Sequence, residues 1–355
     1  MRKLVIDRAA IKNNLTVIKD RAAGAAIYGV LTGDGQGVGA AALAQLLRDE
    51  GIGRFAVSEV SEAEALRQAG FVDEEILMLR ATTDRAELEQ LIALNVVCTV
   101  SSVDTGMALN ALAGNRSTVA EAHIQVDTGM GFGGFLVSEP EKLLLAYRSM
   151  PNVALSGVYT QLHAARPNDP QAKRQLEQFQ LALDAIHQAG FETGAVHAAG
   201  SFALLHGLAP ELDGVRAGSA ILGRCRRTRD DGLKTVGFGQ APLTEVRWLP
   251  KGHVLGVDRP VTLKKPTRVA VLPVGYQNGF GVTRPRETGL LAAIARWRKN
   301  NRRTVRLGSQ RSRVLGGLGA SELILDVTDV KCSVGDLATF EIDPLFARGF
   351  QVEFR

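Results

Sequence analysis

The sequence is poor in cysteine, lacks any long apolar run and leaves a wide gap in its lysines. Its three cysteines, Cys98, Cys225 and Cys332, stand far apart, odd in number and without CxxC spacing. That pattern argues against a disulfide framework and against a zinc site, so no metal is expected and a cytoplasmic location is favoured. No stretch of about 18 apolar residues occurs and no charged-then-apolar segment opens the chain, so a soluble, unprocessed protein with no membrane partner is expected. Between Lys19 and Lys142 there is no lysine at all.

What is present is bulk. At 355 residues and 45% hydrophobic content, the chain can bury a large core and has room for roughly two domains. MRKLVIDR at 1–8 alternates weakly and reads as a strand; AIKNNLTVIKDRA follows with Ile11, Leu15 and Ile18 at helical spacing. A strand-loop-helix unit then recurs: FAVSEV and SEAEALRQAG, EEILMLR and RAELEQLIALN, VCTV and VDTGMALNALAG, and on to LDGVRAGSAILG. About eight units over about 220 residues predict an α/β fold of the (β/α)8, TIM-barrel kind, with a doubly wound sheet as the alternative. Past residue 230 the texture changes to short β-branched segments, TEVRWLPKG, RVAVLPVGY, TVRLG, SRVLGG, LILDVTDV and DLATFEI, which predict an all-β domain. The domains are placed at 1–230 and 235–355, and the strand at 1–8 can join the second.

The chain is organised around AIYGVLTGDGQGVGA at 26–40. A short apolar run ends in Tyr28-Gly29-Val30-Leu31, four glycines break it, and an alanine-rich helix follows. Such an exit puts backbone N–H groups beside a helix N-terminus, where an anion can sit, with Thr32 at its mouth. A phosphate cradle and a simple tight turn are both open for the glycine run.

This stretch resembles the signature of the pyridoxal-phosphate-dependent alanine racemase family of fold type III, in which a lysine at the position of Thr32 carries the cofactor as a Schiff base. Further words match in order: VDTGMG at 126–131, HAAGS at 197–201, VRAG at 215–218, LPVGYQNG at 272–279, and LILDVTDV at 323–330 followed by VGD at 334–336. The resemblance implies an N-terminal barrel, a C-terminal β domain and a homodimer. Carried over residue by residue, it implies that Arg216 faces the cofactor's pyridine nitrogen, that Ser201 and Gly218 hold its phosphate, and that Tyr276 is the second acid/base, donated across the dimer interface.

The departures from the family pattern gather at the chemistry. The lysine is Thr32, and the neighbouring tyrosine and histidine are Gln36 and Val38. The arginine after VDTGMG is Phe132, a lysine before it is Gln125, a histidine is Gln161, and a methionine-aspartate pair is Ala320-Ser321. The resemblance also implies a C-terminal segment with a phosphate-contacting tyrosine, which is expected to be missing after FARGFQVEFR. Threonine cannot form an imine, and the lysine gap leaves the first half of the barrel without an amine to replace it. Lys142, Lys173, Lys251, Lys264 and Lys265 fall on polar helical or turn segments.

Three further features stand out. His163, read on the strand TQLHAA, either faces the barrel mouth or sits in a satisfied core position. Arg80 ends the apolar run ILMLR, where a cation wants an acid neighbour first and a ligand carboxylate second. Arg296, Arg298, Lys299, Arg302, Arg303, Arg306, Arg311 and Arg313 cluster with Trp297 in a chain of net charge +5; a solvated loop is the simpler reading and a polyanion site the other.

The expected function is a racemase-like protein that has lost Schiff-base chemistry and binds a small anionic or amino-acid-like ligand in the former cofactor pocket. Pyridoxal phosphate enters there without an imine at Thr32, if at all, and nucleic acid is not the expected partner. A working amino-acid racemase using a relocated lysine and a polyanion- or partner-binding module built on 296–313 are the alternatives.

Overall fold

The computed structural model describes residues 1–163, 169–208, 212–225, 231–256, 260–283 and 303–355. The chain divides into two compact units, Ala9–Thr235 and a second made of Met1–Arg8 with Val236–Arg355.

Strand β1 (Lys3–Ile6) belongs to the second unit. The first unit holds β2 (Ala26–Val30), β3 (Arg54–Val57), β4 (Glu75–Met78), β5 (Cys98–Val100), β6 (Ala120–Asp127), β7 (Phe135–Leu136), β8 (Val153–Tyr159), β9 (Ala195–Gly200) and β10 (Gly214–Ala217). Eight of these pair in parallel in the order β4-β3-β2-β10-β9-β8-β6-β5, and the bridge Leu77↔Val97 joins the two ends into a barrel. Parallel strands covered by helices are buried on both faces, which is why RFAV, EILM and CTV read as apolar runs without alternation.

Local chemistry sets the crossover helices. Ser102 caps Val103–Asn115 by accepting from Thr105 N at 3.2 Å, and Asp169 caps Pro170–Gln188, which opens with proline, by accepting from Gln171 N at 3.1 Å. Helix Ala40–Asp49 packs directly on β2: a Cβ on Gly29 would run into the tip of Leu47, which would have to shift to admit a larger residue. No described helix is long and apolar enough to cross a membrane.

The second unit adds β11 (Phe238–Pro242), β12 (Glu245–Leu249), β13 (Val254–Leu255), β14 (Val261–Thr262), β15 (Thr267–Leu272), β16 (Thr304–Leu307), β17 (Gln310–Leu315), β18 (Leu323–Asp326), β19 (Leu337–Phe340) and β20 (Gln351–Phe354). Nine strands form one sheet in the order β12-β15-β18-β17-β16-β19-β11-β1-β20, and β13 pairs with β14. Leu249, Leu255, Leu263 and Val269 form a buried cluster in this unit. The six β-branched segments expected past residue 230 are β12 and β15 to β19. Strands β11, β13, β14 and β20 carry weaker alternation and were not foreseen.

Candidate functional site

The exit of β2 is a left-handed turn. Gly33, Asp34, Gly35 and Gln36 have φ of 68°, 52°, 63° and 59°. Left-handed backbone costs a residue with a side chain roughly 1–2 kcal/mol, so Asp34 and Gln36 need something to hold them there. Glu62 supplies part of it. Its carboxylate accepts from Gly33 N at 2.6 Å and Asp34 N at 3.1 Å, and also from Ser58 N at 3.0 Å and Glu59 N at 3.2 Å at the exit of β3. On the inner side Gln36 Nε2 donates to Thr32 O and Thr32 Oγ1, both at 3.1 Å, and Asp34 Oδ1 accepts from Ala40 N at 2.8 Å.

The N–H groups expected to cradle a ligand anion at Gly33 and Asp34 thus meet an internal carboxylate. The amide of Gln cannot accept at both of its terminal atoms, so Glu62→Gln keeps the size and loses about half the acceptors. We expect it to cost about 1–2 kcal/mol in urea unfolding and to speed amide exchange at Gly33 and Asp34. Unchanged exchange at those two amides would show that Glu62 does not hold the turn.

A polar chain crosses the barrel interior. Arg216, on β10 and 4% exposed, donates from Nη1 to His197 Nδ1 at 2.5 Å and to His197 O at 3.3 Å. From Nη2 it donates to Thr160 O at 2.7 Å, Gln161 Oε1 at 2.9 Å and Ala198 O at 3.4 Å. His197 Nε2 meets His123 Nδ1 at 3.0 Å. Arginine has only donors, so His197 accepts at Nδ1, carries its proton on Nε2 and donates it to His123, whose own proton lies on Nε2. Both rings are neutral. Burial first, then the charges of Arg216 and Arg54, bring His123 down to about 4. Burial, Arg216 and His123 hold His197 well below its ordinary value.

Tyrosines flank this chain. The His197 ring stacks on Tyr28 and on Tyr159, each with centroids 5.0 Å apart, and Arg216 lies 5.0 Å from the Tyr159 ring centroid. None of the partners of Arg216 among the described residues is a carboxylate, and burial lowers it to about 10, against the opposing pull of Tyr159 and Tyr28. Among the described residues its five hydrogen bonds leave from Nη1 and Nη2, so Nε–H is not committed to any of them.

Ser201 and Gly218 come together. Ser201 Oγ accepts from Gly218 N at 2.9 Å and from Ala220 N at 3.2 Å. A Cβ at 218 would lie 3.0 Å from Val30 Cβ, so glycine lets the exit of β10 sit tightly on β2. Thr32 and Gly218 are therefore at the same, C-terminal end of neighbouring strands, the end that carries function in barrels of this kind. Gln161, which orients Arg216, is itself held by Gln175 Nε2 donating to Gln161 O at 3.0 Å.

The other candidates fall elsewhere. Arg80 makes a two-point ion pair with Glu87 at 3.0 and 2.7 Å and a weaker one with Glu59 at 3.4 Å, so of its two readings the salt bridge holds. His163 is not on a strand, because β8 ends at Tyr159; it is exposed and lies 3.7 Å from Asp169. Phe132 is 77% exposed on the loop after β6. Tyr276 begins a one-turn helix, Tyr276–Asn278, in the second unit and is 52% exposed. None of the eight barrel strands carries a lysine, and Lys142 is ion-paired with Glu139 on an outer helix. Of the basic cluster, 296–302 lie outside the described residues. Among the described residues no group of three or more His, Cys, Asp or Glu could hold a metal ion.

The residues that the sequence did not single out are His123, His197, Tyr28, Tyr159 and Glu62. Glu62 had a signal in the E-x-x-E spacing of a capping box, whose first turn also reaches across to the glycine run. The two histidines sat inside apolar strands, where composition does not tell a core ring from a site residue.

The same chain can be set beside known proteins. It is 29% identical over 283 residues to an alanine racemase of Clostridium tetani, covering 78% of this chain and 72% of that one. The alanine racemase of Clostridium difficile 630 shares the fold with a TM-score of 0.86 at 21% identity, over 100% of this chain and 95% of that one. That of Bartonella henselae, solved with covalently bound pyridoxal phosphate, gives 0.83 at 21%, over 100% and 99%. The family models for the alanine racemase N-terminal and C-terminal domains match residues 6–225 and 239–342, so the chain belongs to the alanine racemase family.

Proposed function

We propose that this member of the family has left Schiff-base chemistry and uses the mouth of the barrel to bind a small anionic, amino-acid-like ligand. The observation that carries the reading is the side chain at position 32. On the resemblance, Thr32, whose hydroxyl is engaged by Gln36, takes the position of the lysine that carries the cofactor, and none of the described barrel strands carries an amine to replace it. Pyridoxal phosphate held as in the Bartonella henselae structure does not fit this chain, and no reaction step is assigned to it; a non-covalent guest remains compatible with the site.

The retained groups support binding. Arg216 Nε–H is a donor for a ligand acceptor, such as a carboxylate oxygen or a ring nitrogen, and Arg216 stays cationic at neutral pH. Ser201 Oγ with the N–H groups of Gly218 and Ala220 offers three donors to an anion oxygen once the internal bonds open. Tyr276 supplies a hydroxyl for hydrogen bonding rather than one of two bases, since the lysine that would be its partner base is missing. A cytoplasmic homodimer goes with this reading, as does the absence of any membrane role.

The rival is a working racemase like the curated relatives, with an amine supplied from an unexpected place. Purified protein mixed with pyridoxal phosphate separates the two. We expect no imine absorbance, no borohydride-trapped adduct by mass spectrometry, and no interconversion of L- and D-alanine above background. A yellow protein that traps the cofactor on a lysine and interconverts the enantiomers would establish the rival.

A further inference from the structure

The formal net charge of +5 conceals a division. Met1–Arg8 with Val236–Arg355 holds 22 Lys and Arg against 11 Asp and Glu, a net +11; Ala9–Thr235 holds 20 against 26, a net −6. Within the basic unit the charge has a defined place. Strands β16 and β17 alternate, with Val305, Leu307 and Ser312 buried and Thr304, Arg306, Arg311 and Arg313 exposed. Arg306 stands directly opposite Arg311, and Arg313 opposite Thr304. Arg311 and Arg313, two residues apart on one strand, are separated by about 6.8 Å.

This arrangement costs the fold something. Like charges directly opposite on a sheet destabilise it, and among the described residues the one acid facing any of the three is Asp326, opposite Arg313, which makes no ion pair with it. Asp326, across the ladder from Arg313, accepts instead from Thr328 N at 3.1 Å and Thr328 Oγ1 at 2.7 Å. Three guanidinium forks on a rigid two-stranded surface suit the oxygens of successive phosphates. Among the described residues the exposed side chains of β16 and β17 are all polar, with no cluster of large apolar side chains that would anchor the face in a lipid surface.

We propose that the outer face of β16 and β17 binds nucleic acid through the phosphate backbone, without reading sequence. The preceding sequence adds charge of the same sign: 284–302 contains Arg284, Arg286, Arg296, Arg298, Lys299 and Arg302 against a single acid, Glu287. The site itself rests on Arg306, Arg311 and Arg313.

The test is fluorescence anisotropy of a labelled 20-base-pair duplex with the full chain between 50 and 200 mM salt, using wild type, the triple change Arg306→Gln, Arg311→Gln and Arg313→Gln, and the matching triple change to lysine. Each phosphate contact contributes about 0.9 to the slope of log affinity against log salt, so losing three should lower the slope by about 2 to 3. The glutamine variant should bind roughly tenfold or more weakly, while the lysine variant keeps the wild-type slope. Because all three side chains are exposed and two of them repel each other, the thermal melt of the glutamine variant should not fall. An unchanged slope in the glutamine variant overturns the proposal, as does binding to phosphatidylserine vesicles with none to the duplex.

Discussion

Lowering the pH from 6.5 to about 4 is expected to remove about 3 kcal/mol of folding stability through His123 alone, with His197 adding to the loss. In the folded barrel the imidazoles titrate below their free value. The unfolded chain therefore takes up protons first as the solution is acidified, and each proton it takes pulls the equilibrium towards unfolding. Stability is complete above pH 6.5, declines through the interval and levels off below the folded-state pKa. Carboxylates titrate in the lower part of the same interval, so the comparison has to be with a variant. Urea unfolding of wild type and of His123→Leu across this range should show a shallower slope for the variant. Parallel curves would mean that the rings are not held neutral.

Arg216→Leu is the second large effect. It strips the donors from His197 Nδ1 and from the buried Thr160 carbonyl, and each abandoned acceptor costs about 1–3 kcal/mol. Releasing the desolvated guanidinium returns part of this. We expect a net loss of about 2–3 kcal/mol, accompanied by a diagnostic change at acid pH. With the nearby positive charge gone, His197 and His123 protonate more readily in the folded state, so the variant is less sensitive to acid than wild type. A variant more stable than wild type would show that desolvation outweighs the five hydrogen bonds, and that ligand binding alone accounts for the arginine.

How much of this was legible in the sequence differs between fold and site. The barrel could be read because parallel strands and their crossover helices repeat at a regular pitch, with apolar runs such as EILM and CTV marking strands buried on both faces. In the β unit, TVRLG and LILDVTDV alternate strongly enough to be found, whereas Val254–Leu255 and Val261–Thr262 are too short to carry a period. At the site, Arg216, Ser201 and Gly218 were reachable through matching words. The glycine run was read either as a place where an anion can sit or as a tight turn; its Gly33 and Asp34 amides meet the carboxylate of Glu62, in the first turn of the helix Val60–Gln68, some 28 residues away. No pattern in one sequence says which acid reaches which amide. His163 was assigned to a strand because TQLHAA follows an apolar run without a break; β8 stops at Tyr159 and the chain leaves the sheet there.

The way β1 is placed bears on how the protein is made. Leu4 pairs with Gly239 on one side and with Val352 on the other. A nascent chain emerging from the ribosome could close Ala9–Thr235 on its own, while its leading strand waits for partners synthesised hundreds of residues later. Such distant pairing slows completion of a sheet and leaves an unmatched ribbon free to find other edges. A tag fused ahead of Met1 would therefore sit on a strand that docks only after the barrel has been made, and refolding yield should be more sensitive to what precedes residue 1 than to what is attached within the barrel.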